Sequence, residues 1–127
     1  MKYKDLNIII ALNKEESEKH IEEDLKVLTE KGIDNIVKES FIPWLLGTDF
    51  QDKDKDKVFE GLKLYEIEYH YGKIIEKYSP TGEENYFGQF EFCYESGNDY
   101  TSDILEAVAM QIFVLDGKIV KVSGFDI

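Results

Sequence analysis

The sequence predicts an α+β fold: an N-terminal strand and two helices packed on a mainly antiparallel sheet of about five strands. Three observations predict it. Ile21, Leu25 and Leu28 recur at helical spacing, two later stretches alternate at period two with aromatic residues in the rows, and Asp116-Gly117 is a two-residue hairpin signal near the C-terminus. At 127 residues the chain has the size of one ordinary domain, spanning 1–127, with no repeat, linker or low-complexity segment to divide it.

The first element is an apolar run from Leu6 to Leu12. Its flanking lysines suggest a signal peptide, but the run is short, is interrupted by Asn7 and leads straight into an acidic helix without a small-residue cleavage site, so a strand is expected. Asn13 with Glu16 three residues on fits a capping box. The helix that follows carries Glu15, Glu18, Glu22 and Glu23 in its early turns, Lys26 and Lys31 later, and Gly32 as its stop. A second helix is expected with Asp34 as cap and Ile36, Val37 and Phe41 on its turns, until Pro43 ends or kinks it. The cluster Phe41–Leu46, FIPWLL, reads as a core anchor rather than a partner-facing patch, since a lone Trp among aliphatics is usually mostly buried.

Leu64 to Tyr71 alternates, with Tyr65, Ile67, Tyr69 and Tyr71 on one face and Glu66, Glu68 and His70 on the other. Gly72-Lys73 is expected to turn the chain into another strand reaching Tyr78, and Ser79–Gly82 supplies the next turn. Tyr86 to Glu95 alternates again, so that two aromatic rows can pair across the sheet. Ser96 to Asp103 is expected to be a polar loop. Leu105–Leu115 and Lys118–Ser123 form the final hairpin, its first strand central and its second nearer an edge.

Composition narrows the function. With 27 acidic against 15 basic side chains the formal charge is −12, which disfavours nucleic acid and anionic membranes and favours a basic protein partner. No run approaches the roughly 20 apolar residues that span a bilayer. Cys93 is the only cysteine, which excludes an intrachain disulfide and fits a cytoplasmic protein.

The stretch QDKDKDKVFEG places Asp52, Asp54 and Asp56 at the first, third and fifth positions of a calcium loop. The sixth position, where a glycine is needed, is Lys57, and the twelfth, where a glutamate is needed, is Lys63. It reads as a solvated connector, and no metal is expected. His20, on the polar side of the first helix, and His70 have no histidine or cysteine at ligand spacing. Cys93 sits mid-strand between Phe92 and Tyr94 and reads as a buried structural thiol. There is no G-x-S-x-G, phosphate loop or dinucleotide fingerprint, so no catalytic residues and no cofactor are expected.

Gly88, Phe90, Phe92 and Cys93, followed by Asp116, Gly117, Lys118, Ile119, Val120, Val122, Gly124, Asp126 and Ile127, give a C-terminal third that resembles a loose group of small, uncharacterised bacterial α+β domains. Some of these look like immunity proteins, which bind and neutralise a toxin. Members commonly carry an acidic-His-Gly stretch before the final hairpin, where this chain reads Glu106-Ala107-Val108-Ala109-Met110. The resemblance implies the fold order and partner binding, with no catalytic residues to carry over.

The leading expectation is therefore a non-enzymatic domain that docks on a basic partner, as an immunity protein does. Glu66, Glu68, Glu91 and Tyr100 together with Asp52, Asp54 and Asp56 are its candidate contacts. The alternative is an enzyme or small-ligand binder with a pocket between helices and sheet, using His70 and a nearby glutamate. A third reading makes the sheet edge a homodimer contact; the oligomeric state is not written in the sequence.

Overall fold

A computed structural model describes residues 1–127. Six strands form one sheet in the order of the chain: β1 (Lys2–Tyr3), β2 (Leu6–Ile10), β3 (Leu62–Ile74), β4 (Asn85–Ser96), β5 (Ala107–Leu115) and β6 (Lys118–Asp126). The fold is α+β as expected, but the sheet is mixed and one strand larger. β2 and β3 run parallel, with Ile8 opposite Ile67 and Ile10 opposite Tyr69, while every other neighbouring pair is antiparallel. A parallel pair needs a long crossover, and here all the helices between residues 14 and 61 supply it. The extra strand comes from a tight reversal at Lys4, φ 53°, which folds Lys2–Tyr3 back onto Leu6–Asn7.

Helix α1 (Lys14–Lys31) lies across β3, with Ile21 and Leu28 buried. Asn13 precedes it, as expected, but in a left-handed conformation and without a side-chain cap. The Asn13 amide instead donates to the Tyr71 carbonyl at 3.1 Å. Ser17, fully buried, donates to the Leu12 carbonyl and accepts from the Tyr71 N–H at 2.8 Å. Two side chains thus satisfy the Tyr71 backbone where the β2–β3 ladder ends, as buried backbone groups require.

After Gly32 the chain stays helical from Ile33 to Leu46 as α2 (Ile33–Ile36), one π-type turn (Val37–Phe41) and α3 (Ile42–Leu46). The widened turn immediately precedes Pro43, whose ring cannot accept a regular preceding turn and which has no N–H to donate. Pro43 therefore does not end the helical path: it stands in the first turn of α3, which runs on to Leu46. Phe41, Ile42 and Leu46 anchor the core, but Trp44 is 42 % exposed, its ring parallel to Phe41 at 5.8 Å.

Three further expectations are corrected. The Asp-Lys connector contains a helix, α4 (Lys55–Gly61), for which Asp54 is the cap, accepting from the Asp56 and Lys57 N–H groups. β3 does not turn at Gly72 but continues in register to Ile74, with Gly72 opposite Phe87; Glu76–Tyr78 is a single 3-10 turn. The polar loop after β4 holds a short helix, α5 (Asp99–Ser102), capped by the Asn98 side chain. The expected hairpin forms at Asp116-Gly117, both at positive φ (51° and 76°), the conformation that fits the strand twist.

All of the helices' buried residues pack on one face of the sheet. Ile67 and Tyr69, Phe90, Phe92 and Tyr94, and Val108, Met110, Ile112 and Val114 line that face and form a continuous core with Leu28, Ile36, Phe41 and Val58. Tyr65 does not join the row: the ladder slips between Leu64 and Glu66, leaving Tyr65 as an unpaired bulge, 39 % exposed. No helix is long and apolar enough to cross a membrane.

Candidate functional site

Because the helices take one face, the other is built only from the alternate residues of each strand. Its central row, read across the sheet, is Ile9, Glu68, Glu91, Gln111 and Ser123. Beside it run Glu66, Cys93, Ala109 and Phe125 on one flank and His70, Gln89, Phe113 and Lys121 on the other. Period two in β3 and β4 therefore brings Glu66, Glu68 and Glu91 together, as their spacing suggested.

Glu68 stands directly opposite Glu91, a cross-strand arrangement of like charges that opposes folding. No lysine comes within 4 Å of Glu66, Glu68 or Glu91, although eight ion pairs form elsewhere in the chain. Gln111 reaches Glu91 through a long 3.4 Å hydrogen bond, and Glu68 itself lies within hydrogen-bonding reach of Glu91. Partial burial raises the Glu68 pKa, and the charges of Glu66 and Glu91 raise it further. His70 is pushed the other way by burial, against the pull of Glu91 and a hydrogen bond with Gln89. The Cys93 thiol, buried beside the same carboxylates, is pushed up to about 11 and stays protonated at neutral pH, which makes it a poor nucleophile. Ile9, Tyr65 and Phe125 are exposed around this centre. No group of three or more His, Cys, Asp or Glu is arranged to hold a metal ion.

The other candidate contacts lie elsewhere. The Tyr100 hydroxyl accepts from the Asp54 N–H at 2.7 Å, with Lys53 and Lys57 over the Tyr100 ring at 4.8 and 5.6 Å. Asp54 and Tyr100 thus hold the start of α4, in the helical layer, while Asp52 and Asp56 are exposed beside them. The structure does not bring Asp52, Asp54, Asp56 or Tyr100 to the carboxylates of the open sheet face.

The pocket expected between helices and sheet around His70 does not form in that way, since His70 is on the face opposite the helices and lines none of the hollows described below. A different histidine is placed in a cleft. His20 lies not on a solvated side of α1 but against the Tyr71 ring, with 3.6 Å between centroids and 11° between planes. Tyr71 in turn lies nearly parallel to Tyr86 at 6.0 Å. Just inside, Asp24 accepts a 2.5 Å hydrogen bond from the Tyr69 hydroxyl. Burial raises the Asp24 pKa, and the bond from Tyr69 offsets part of that rise. A sequence signal for this group exists: Ser17, His20 and Asp24 sit at i, i+3 and i+7, the same side of α1 as Ile21 and Leu28.

Comparison with known proteins gave no match: no protein-family model, no curated protein and no solved structure matches this chain.

Proposed function

We propose that the chain is a non-enzymatic, cytoplasmic protein-binding domain of the immunity-protein kind, and that its uncovered sheet face docks on a basic partner. One observation carries the reading: Glu66, Glu68 and Glu91 are gathered at the middle of a face that no helix covers, and no lysine of the chain comes within 4 Å of them. Like charges facing each other across a ladder cost about 0.2–1 kcal/mol per pair. A partner's lysines and arginines would relieve that cost on binding. The exposed rings of Tyr65 and Phe125 and the side chain of Ile9 supply apolar area at the rim of the same face, and the formal charge of −12 adds long-range attraction for a basic surface. The resemblance of the last third to immunity-like domains points the same way, on its own residues alone.

The reading is tested on the partner recovered by capture on the immobilised chain. Association rate is measured against ionic strength for the wild type and for Glu66→Lys with Glu91→Lys. The variant should associate more slowly and lose much of its salt dependence. Equal rates and slopes for the two proteins would refute docking through this face.

A further inference from the structure

At the rim where α1 meets the ends of β3 and β4, the rings of His20, Tyr71 and Tyr86 form a wall with a hollow on either side. The larger hollow, about 690 Å³, is bordered by Lys14 and Lys73 as well as by Glu15 and Glu16, so its charge is mixed. The smaller, about 360 Å³, is bordered by Glu23, Asp24 and Asp116 and by no lysine. None of those three carboxylates lies within 4 Å of a basic group of the chain. Its volume lies within the roughly 300–1,000 Å³ of small-molecule pockets.

We propose that this smaller hollow is a guanidinium site, which takes the side chain of an arginine presented by another protein. The aromatic wall selects the chemistry as much as the charge does. Tyr86 is 52 % exposed, so its ring offers an open π-surface, on which a flat cation both stacks and is attracted by the quadrupole. The carboxylates come from two elements, α1 and the β5–β6 turn, and can receive the several N–H donors of one planar fork. An ammonium would gain the charge without the stacking. A divalent cation would need three or more ligands converging on one point, and these carboxylates are not so arranged. An anion would be repelled. All 15 basic residues of the chain are lysines, so any guanidinium in this hollow comes from outside.

The site does not rest on the docking-face reading. Tyr71 is on the helix-covered side of β3, opposite the side that carries Glu68 and His70, so the two sites are separable by mutation.

The test is an NMR titration at low salt with the capped peptide acetyl-Gly-Arg-Gly-amide, and with its citrulline counterpart, which has the same shape but no charge. Saturable shifts are expected in the His20 and Tyr86 rings and at the Asp116 and Gly117 amides, with the citrulline peptide weaker by about 10-fold or more. Tyr86→Leu, which keeps bulk without a π-face, should weaken the arginine peptide by about 3- to 30-fold, as should Glu23→Gln with Asp116→Asn. Glu68→Gln with Glu91→Gln, on the opposite face, should leave it unchanged. Equal binding of the two peptides, shifts confined to the sheet face, or no saturable shift at all would each overturn the assignment. The last two results would leave partner docking on the sheet face to its own kinetic test.

Discussion

Gly88→Ala is the substitution that tests most sharply how α1 is fastened to the sheet. A methyl carbon at Gly88 would overlap the Asp24 Oδ2 atom, and it would lie 2.8 Å from Asp24 Cγ and 3.0 Å from the Tyr69 hydroxyl. β4 cannot retreat, because Gly88 is paired with Tyr71 on one side and Val114 on the other. The short Asp24 side chain must swing away, and the 2.5 Å bond from Tyr69 is lost. A hydrogen bond to a charged group contributes about 1.5–3 kcal/mol, much of it the cost of leaving the buried hydroxyl alone. Replacing glycine restricts the unfolded chain and returns about 0.4–1 kcal/mol. The expected net loss is therefore about 1–2.5 kcal/mol. Tyr69→Phe removes the same bond by another route, so the double variant should fall short of the sum of the two singles by about 1–2 kcal/mol. Urea unfolding followed by Trp44 fluorescence and by circular dichroism measures all four corners of the cycle. Additivity within about 0.5 kcal/mol, or a neutral Gly88→Ala, would refute the claim that strand glycine, helix carboxylate and tyrosine form one joint.

Other outcomes follow from the same geometry. Glu68→Gln should stabilise the protein at pH 7 by up to about 1 kcal/mol. The folded Glu68 pKa is raised, so the folded state holds that proton more tightly than the unfolded chain, and stability is lost as pH rises from the ordinary carboxylate range through the folded value. The advantage of Glu68→Gln over wild type should accordingly fade on acidification; paired melting curves between pH 4 and 7 read it, and a constant difference would contradict the cause. Asp54→Ala removes the α4 cap and should cost about 1 kcal/mol, while Tyr100→Phe should cost about 0.5–1.5 kcal/mol through the lost bond from the Asp54 N–H. Thr101→Val should cost about 1–3 kcal/mol in urea unfolding, since the fully buried Thr101 hydroxyl joins the Gly61 carbonyl, Ser96 and Asn98.

How much of this was legible in the sequence varied with the range of the interaction. The rows Phe90-Phe92-Tyr94 and Glu66-Glu68 follow from period two alone, and Asp116-Gly117 declares its turn by backbone chemistry. The parallel pairing of β2 with β3 has no local mark, since Ile8 meets Ile67 only after the whole helical segment has been laid down. Tyr65 was misplaced because a bulge moves one residue out of an otherwise regular alternation, and strict counting carries the error forward. Gly72 reads as a turn in isolation, yet β4, in register with β3 from Glu66 to Ile74, keeps it extended. The cap at Asp54 was hidden by the alternating lysines, although Val58 and Phe59 at i+4 and i+5 mark a helix face. At the cleft, His20 reads as a residue of the polar side of α1, although Ser17, His20 and Asp24 share a side with Ile21 and Leu28, and nothing local ties His20 to Tyr71 and Tyr86.

In the docking we propose, position and not net charge makes the sheet face the binding surface. The measurement that tests it most directly is side-by-side capture from lysate of the source cell on three immobilised proteins: the wild type, Glu66→Gln/Glu68→Gln/Glu91→Gln, and a charge-matched control with Glu18, Glu22 and Glu76 changed to Gln. A basic protein retained by the wild type and the control, released by salt and lost from the sheet-face variant is the expected result. Equal retention by all three, or equal loss from both variants, would contradict the account.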